Sequence, residues 1–194
     1  MHDSKKQIIL AAAVNVLTEK GAAHTSMNDI IRASGVSKGG VYHYFSSKDE
    51  LLVGVIENFQ EEHINYIELF PDDNLSAYEK MKFLISGHKE LLDQMGKHNL
   101  LFLDLFAQSA RIPRLKETFN KSYTYFHGLI SALVGQGIQD KVFKDETEPA
   151  SFASGLIGIF DGIGAGYMVA PEAVSYPDHA VNAALYMLEG IRST

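Results

Sequence analysis

The sequence predicts an all-α fold, with a small helical domain at the N-terminus and a larger helical domain after it. Along most of the chain, apolar residues recur at the three- and four-residue spacings that place them on one side of a helix. Ser, Thr and Gly stand where these segments begin and end, as helix-capping residues do. No segment alternates convincingly between polar and apolar residues, so we predict no sheet.

The first predicted helix covers Ser4 to Lys20, and two shorter helices follow it. Ser26 and Asp29 have the spacing of a capping box at the start of the first short helix. Gly35 ends that helix, because glycine tolerates the left-handed backbone of a helix terminus. Ser37 begins the second short helix only two residues later. Two short helices joined by so tight a turn must cross steeply, which predicts a helix-turn-helix.

The second short helix, Ser37 to Phe45, contains the adjacent glycines Gly39 and Gly40. Each glycine costs about 1 kcal/mol relative to alanine inside a helix, and such local violations tend to occur at functional sites. A helical turn without Cβ atoms can approach another surface closely, such as the wall of a DNA groove. The surrounding residues can form hydrogen bonds: Lys38, Tyr42, His43 and Tyr44. The alternative is an ordinary helical hairpin with a solvated polar face.

A third helix start lies at Ser47, which forms a second predicted capping box with Glu50. Helices are predicted from here to the end of the chain, with a polar connection between Gln136 and Thr147. Their expected ranges are Ser47 to about Leu69, Ser76–Met95, Asn99–Ser109, Pro113–Ile138, Glu148–Val169 and Asp178–Ile191. We therefore predict a helix-turn-helix domain over residues 1–47 and a helical domain over residues 48–194.

The predicted helix near residues 149–167 carries a stripe of small residues on one side. The stripe consists of Ser151, Gly155, Gly158, Gly162 and Gly166. Interior glycines weaken a helix, so a close approach to another backbone is the expected compensation. The stripe can pack against a second copy of the chain or against another helix of the same chain. A membrane span is disfavoured by Asp161 and by the short length of the segment.

The charge of the chain is unevenly distributed. Residues 1–50 contain six Lys or Arg and five acidic residues, whereas the remainder contains 11 basic and 19 acidic residues. The predicted helix-turn-helix is thus close to neutral and the rest of the chain is acidic, which predicts weak non-specific attraction to DNA phosphates. The chain has no cysteine and no predicted secretory signal, so we expect a cytoplasmic protein.

The segment from Thr25 to Leu51 resembles the signature of the tetracycline-repressor (TetR) family of bacterial transcription regulators. The matching residues are Thr25, Ile30, Ala33, Gly35, Val36, Ser37, Gly39, Val41, Tyr42, Tyr44, Phe45, Lys48 and Leu51. The match covers about a seventh of the chain, and the preceding helix extends it to the N-terminus. The resemblance implies a homodimer that binds double-stranded operator DNA and responds to a small-molecule effector.

The resemblance also implies roles for individual residues. Asn28, Lys38 and His43 occupy positions that often reach base edges in the major groove. Thr25, Ser37, Tyr42 and Lys48 occupy positions that usually hold DNA phosphates. Together with Gly39 and Tyr44, these residues form the predicted DNA-binding set. In this family the last helices of two subunits pack into a four-helix interface, to which the small-residue stripe is assigned.

An effector of such a regulator is usually enclosed by the central helices, among apolar and aromatic side chains with a few polar anchors. The available candidates are Phe83, His88, Phe102, Asp104, Phe106, Tyr123, Phe126, His127, Phe160, Asp161 and Tyr167. Plain core packing is the alternative explanation for these aromatic residues. If they enclose a cavity, their composition favours a hydrophobic or amphipathic effector.

An enzymatic function is disfavoured, because no nucleophile elbow, phosphate loop or complete His-rich metal motif is present. We accordingly expect no cofactor and no metal. The sequence predicts a repressor that binds a palindromic operator as a homodimer and is released by its effector. The alternative is an effector-independent DNA-binding or adaptor protein.

Overall fold

The computed structural model describes residues 4–67, 74–95 and 99–193. Nine α-helices occupy these ranges, in agreement with the predicted all-α class. They are α1 (Ser4–Lys20), α2 (Met27–Ser34), α3 (Lys38–Tyr44), α4 (Lys48–Ile67), α5 (Ala77–Met95), α6 (Asn99–Ser109), α7 (Pro113–Gln139), α8 (Pro149–Val169) and α9 (Asp178–Gly190). The predicted end of α4 near Leu69 lies outside the described residues.

The helices form two compact units, and the division falls within α4 and within α7. The first unit comprises Met1–Glu62 together with Gly96–Lys121, and the second comprises His63–Met95 together with Ser122–Thr194. The first unit therefore contains α6 in addition to the N-terminal helices. The predicted separation of roles at residue 47 stays a prediction.

In the first unit, α1 packs against α2 and α6, and α2 contacts α3. The apolar faces that the sequence predicts are buried: Ile9 and Leu17 of α1 and Ile30 of α2 are almost completely inaccessible. Burying a side chain of this size contributes about 1.5–3 kcal/mol. α6, which contacts α1, also contributes a fully buried side chain to this unit, Leu105.

In the second unit, α9 packs against α5 and α8. Its core contains Met81 and Ile85 of α5, Val134 of α7, Leu156 of α8 and Leu188 of α9. α8 is long and apolar enough to cross a bilayer by length and composition alone, and 28% of its apolar window is buried within the chain. Met168 and Val169, at its C-terminal end, are exposed.

The predicted polar connection between Gln136 and Thr147 is only partly correct. α7 continues to Gln139, and Phe143 in the connection is fully buried. Phe143 and Arg192 form an isolated antiparallel bridge, in which the Lys144 N–H donates to the Ile191 carbonyl at 2.8 Å. The sequence pattern did not predict this contact, because Phe143 and its neighbour Val142 are flanked by charged residues and are not part of a helical apolar pattern.

Candidate nucleic-acid interface

The predicted capping box at the start of α2 is confirmed. Ser26 is the N-cap: its side chain accepts from the Asp29 N–H, and the Asp29 carboxylate accepts from the Ser26 N–H at 2.9 Å. Gly35 ends α2 in the left-handed conformation, with φ of 65°. Both ends of the helix are therefore fixed by local interactions that the sequence predicts.

Asp29 has a wider role than capping. Its Oδ1 accepts from Lys20 Nζ at 2.7 Å and from Arg32 Nη2 at 2.6 Å, while its Oδ2 accepts from Ser26. These interactions, chiefly the hydrogen bond from Lys20, hold the pKa of Asp29 well below its usual range. Asp29 thereby joins the end of α1 to the start of α2. Sequence patterns did not predict the ion pair between Asp29 and Lys20, because the two residues are nine positions apart and lie on different helices.

The N-cap of α3 is Ser37, as predicted. Its hydroxyl oxygen accepts from the Gly40 N–H at 3.2 Å. The hydroxyl hydrogen stays available for donation to a ligand. Val41 and Phe45 are buried, so they hold α3 in the first unit while the opposite side of the helix faces outward.

The two adjacent glycines of α3 have different surroundings. A Cβ at Gly40 would lie 2.8 Å from Val36 Cγ1 and 3.2 Å from Ser37 Oγ, whereas a Cβ at Gly39 would meet nothing within 4 Å. Packing within the chain therefore supplies a second reason for glycine at residue 40, and the approach of both glycines to DNA stays a prediction. Gly39 has no such internal explanation.

The outward side of α3 is polar and accessible. Tyr42 is 40% exposed, and Lys38 Nζ lies 6.0 Å from the centroid of its ring, at the outer limit of a cation–π contact. The rings of His43 and Tyr44 meet edge to face at 5.1 Å. The predicted DNA-binding residues that lie exposed are Asn28, Ser37, Lys38, Gly39, Tyr42 and His43, and two more, Tyr44 and Lys48, are half-buried.

Thr25 differs from the other predicted DNA-binding residues. It is only 4% exposed, and its hydroxyl donates to the Gly21 carbonyl at 2.9 Å. Its side chain is thus engaged in the connection between α1 and α2. A direct phosphate contact for this hydroxyl stays a prediction with no support from its placement.

The predicted capping box of α4 is only partly correct. The Glu50 N–H donates to Ser47 Oγ at 3.2 Å, as expected, but the Glu50 carboxylate accepts from the Ser46 N–H at 2.8 Å. The return contact is therefore shifted by one residue. Lys48, the first residue of α4, makes no hydrogen bond or ion pair within the described part of the chain. Lys48 lies in the first turn of α4, where the free backbone N–H groups and the helix dipole favour an anion.

The structure divides the predicted effector residues between the two units. In the first unit, Phe102 and Phe106 both contact the ring of Phe119 edge to face, at 5.1 and 5.4 Å, and Phe106 is half-exposed. Asp104 of α6, one of the polar candidates, accepts from the Ala22 N–H at 2.9 Å. The remaining candidates lie in the second unit.

In the second unit, the rings of His88 and Phe160 meet edge to face at 4.4 Å. Asp161 of α8 is partly buried, and burial raises the pKa of its carboxyl. Tyr167 stacks on Tyr176 at 6.2 Å. Burial, with the nearby negative charge of Asp161, raises the pKa of Tyr176 to about 12.

The other candidates of the second unit lie on α5 and α7. Tyr123 is 45% exposed and stacks on His127 at 5.9 Å. His127 Nε2 lies 3.1 Å from the Ala150 carbonyl and 3.2 Å from Ser154 Oγ, so it ties α7 to the start of α8. Phe83 and Phe126 are half-buried. The assignment of all these residues to an effector cavity stays a prediction.

The small-residue stripe of α8 is not uniform. A Cβ at Gly155 would lie 2.8 Å from Met187 Cε of α9, so this glycine packs within the chain. A Cβ at Gly158 or Gly162 would meet nothing within 4 Å, and both positions are exposed. At Gly166, the nearest atom is Val174 Cγ2, at 3.8 Å, and Ser151 is exposed. The stripe thus leaves an open, uncharged face in its middle.

Within the described residues, no group of three or more His, Asp or Glu side chains is arranged to hold a metal ion.

The sequence patterns of two protein families match the chain. The pattern described as "Bacterial regulatory proteins, tetR family" matches residues 9–55, and that described as "BetI-type transcriptional repressor, C-terminal" matches residues 91–193. Together they cover the helix-turn-helix and most of the second unit.

Individual bacterial regulators are also similar to the chain in sequence. The HTH-type transcriptional regulator YfiR of Bacillus subtilis is 29% identical over 168 residues, which are 84% of this chain and 80% of YfiR. The fatty acid metabolism regulator protein of Bacillus subtilis is 25% identical over 153 residues, which are 79% of this chain and 78% of that protein.

Solved structures share the fold across nearly the whole chain. A TetR transcription regulator from Haloarcula marismortui superposes with a TM-score of 0.86 at 18% identity, covering 98% of this chain and 99% of that one. A transcriptional regulator from Saccharomonospora viridis, in complex with choline, superposes with a TM-score of 0.85 at 18% identity. The match covers 97% of this chain and 98% of that one. FadR from Bacillus subtilis, in complex with stearoyl-CoA, superposes with a TM-score of 0.80 at 21% identity. The match covers 96% of this chain and 97% of that one.

Proposed function

Because the chain belongs to the TetR family of bacterial regulatory proteins, we propose that it is a cytoplasmic transcriptional repressor that occupies a palindromic operator as a homodimer. Regulators of this family bind DNA and small-molecule effectors and act as dimers. In this proposal residues 1–47 read the operator, and residues 48–194 bind the effector and form the dimer.

The observation that carries the proposal is the outward side of α3. A seven-residue helix, capped by Ser37, presents polar side chains around Gly39. A Cβ at Gly39 would meet nothing within 4 Å in the described part of the chain. A helix of this size fits the major groove of DNA. Close approach of another surface to Gly39 explains why the helix keeps a glycine that weakens it.

The exposed residues divide by chemistry into two groups. Ser37 and Tyr42 carry hydroxyl groups and Lys48 carries an ammonium group near a helix N-terminus, which suits phosphate oxygens. Asn28, Lys38 and His43 are assigned to base edges, with Tyr44 beside them. Thr25 is assigned to the framework, because its hydroxyl is buried and already donates to a carbonyl.

The dimer is assigned to the open face of α8. Gly158 and Gly162 permit a second backbone to approach closely, since a Cβ at either position would meet nothing within 4 Å among the described residues. On α9, Tyr186 is 76% exposed, which is unusual for a large aromatic residue without a partner surface. Two copies of α8 and α9 can together bury this apolar surface.

The effector is proposed to be a small hydrophobic or amphipathic molecule bound in the second unit, near His88, Phe160 and Asp161. Two proteins of the same fold carry small-molecule ligands: stearoyl-CoA, which is amphipathic, in one, and choline, a small cation, in the other. Release of DNA requires that the effector bind more tightly to the conformation whose two α3 helices no longer match the half-sites. The competing function is an effector-independent DNA-binding or adaptor protein.

The test is selection of binding sites from random duplex DNA by the purified full-length protein at near-physiological salt. We expect enrichment of a two-fold symmetric site, with half-sites about one helical turn or more apart. Lys38→Ala should change the bases that are enriched, whereas Lys116→Ala, an exposed lysine on α7, should leave the site unchanged. Failure of the folded, dimeric protein to enrich any sequence contradicts the repressor function and favours the adaptor.

A further inference from the structure

Asp104 connects α6 to the segment that precedes the helix-turn-helix. Its Oδ2 accepts from the Ala22 N–H at 2.9 Å, although the two residues are 82 positions apart in the sequence. Ala22 is only 2% exposed. A buried backbone N–H without a partner is costly, so this hydrogen bond satisfies a donor that water does not reach.

The rest of the connection between α1 and α2 is also held by specific contacts. Gly21 leaves α1 with φ of 76°, and its N–H donates to the Leu17 carbonyl at 2.8 Å. The Thr25 hydroxyl donates to the Gly21 carbonyl at 2.9 Å. Among these contacts, the hydrogen bond to Asp104 involves a residue that is distant in the sequence.

The connection determines where α2 begins. Four residues after Ala22, Ser26 caps α2, and Asn28 stands exposed in its first turn. α2 in turn contacts α3. We therefore expect a displacement at Ala22 to shift the start of α2 and, through its contacts, the side of α3 assigned to DNA.

We propose that Asp104 is a positioning residue for operator binding, whose carboxylate holds the α1–α2 connection in the geometry that the helix-turn-helix needs to read DNA. The proposal rests on the DNA-binding function proposed above. It assigns Asp104 a role in DNA affinity, although the residue belongs to α6 and its charge is unfavourable beside a polyanion.

The sign of that charge makes the proposal testable. Removal of a negative charge from a DNA-binding unit strengthens phosphate attraction on electrostatic grounds alone. We expect the opposite for Asp104→Ala, because the Ala22 N–H loses its acceptor. Asp104→Asn removes the charge but keeps a side-chain oxygen that can accept, so it should rescue binding.

The experiment measures the affinity of full-length variants for the selected operator, well below their unfolding temperatures. Asp104→Ala should bind about tenfold more weakly than wild type, the effect of losing one hydrogen bond to a charged acceptor, and Asp104→Asn should bind within about threefold of wild type. Glu57→Ala removes an exposed acid from α4 and should bind at least as tightly as wild type. Amide exchange at Ala22 should accelerate in Asp104→Ala and much less in Asp104→Asn.

The outcomes separate this inference from the proposed function. If wild type binds the operator and folded Asp104→Ala binds equally well, the positioning role is wrong and the repressor function stands. If Asp104→Asn loses as much affinity as Asp104→Ala, the acceptor is not what matters, and the role is again wrong. If wild type selects no operator, the proposed function and this inference fail together.

Discussion

At the scale of single residues, Gly39 and Gly40 show how neighbours of the same type serve different purposes. Gly40 is required by Val36 and Ser37 within the chain, whereas the space around Gly39 is open. Identical substitutions at the two positions should therefore separate folding from DNA binding.

We expect Gly39→Ala to raise the free energy of unfolding by up to about 1 kcal/mol, through helix propensity. The same change should weaken operator binding, because the new methyl group occupies the side of α3 that approaches the groove. Gly40→Ala is the matched control and should destabilise the fold, since its Cβ would lie 2.8 Å from Val36 Cγ1. Denaturant unfolding and fluorescence anisotropy measure the two effects, and unchanged operator affinity in Gly39→Ala contradicts the assignment.

Asp29 gives a prediction about pH. Its pKa in the folded protein lies well below the ordinary value of 3.8, chiefly because Lys20 donates to its carboxylate. The unfolded chain binds a proton at this group more readily than the folded chain, so the stability contributed by Asp29 is present above about pH 4 and is lost as the pH falls further. The advantage of wild type over Asp29→Asn should shrink between pH 7 and pH 3.

Urea unfolding at a series of pH values measures that difference. Glu172→Gln, which removes an exposed acid from the segment between α8 and α9, is the control for loss of charge alone. A stability difference between wild type and Asp29→Asn that stays constant down to pH 3 would show that the ion pair with Lys20 contributes nothing.

At the scale of helices, α8 combines a buried side with an open side of small residues. We expect Gly158→Leu and Gly162→Leu to fold and to shift the monomer–dimer equilibrium toward monomer by at least about tenfold, because a large side chain prevents close backbone approach. Gly128→Leu changes an equally open glycine on α7 and should leave the equilibrium unchanged. Sedimentation equilibrium measures the result, and full dimerisation of both α8 variants would place the interface elsewhere.

The helices themselves were largely predictable, because their signals are local. The capping box of Ser26 and Asp29, the glycine at residue 35 and the N-cap at Ser37 each depend on residues within four positions. The start and end of most later helices follow from the same kind of signal.

Contacts between distant segments were not predictable from such signals. The ion pair of Asp29 with Lys20, the hydrogen bond of Asp104 to Ala22 and the burial of Phe143 all depend on which helices meet. Thr25 shows a limit of another kind within the candidate site. Its residue type suits a phosphate contact, but its hydroxyl donates locally to the carbonyl of Gly21, four residues earlier.

At the scale of the whole molecule, the charge distribution constrains how the protein binds DNA. Residues 1–50 are nearly neutral while the chain as a whole carries a net charge of −7. Neutralisation of phosphates by Lys and Arg supplies most of the non-specific affinity of DNA-binding proteins. We therefore expect the proposed repressor to depend more on specific contacts and on the two α3 helices of a dimer acting together.

We expect a shallow dependence of operator affinity on salt concentration. The slope is that of the logarithm of operator affinity against the logarithm of salt concentration. Lys48→Ala should reduce its magnitude by roughly one per subunit, as loss of a phosphate contact does, whereas Lys116→Ala should not. Titrations of the operator between low and physiological salt measure the slope. A slope as steep as that of a strongly basic DNA-binding protein would contradict this account of affinity.

The contact between Asp104 and Ala22 also bears on how the protein is made. The first compact unit is assembled from two stretches of chain, Met1–Glu62 and Gly96–Lys121. During synthesis the N-terminal helices leave the ribosome first, but α6 is still untranslated when the helix-turn-helix emerges. A nascent chain therefore completes its DNA-reading unit only after more than half of the protein has been translated. A chimera that joins only residues 1–47 to the effector-binding domain of another regulator lacks Asp104. We expect such a chimera to need α6 as well.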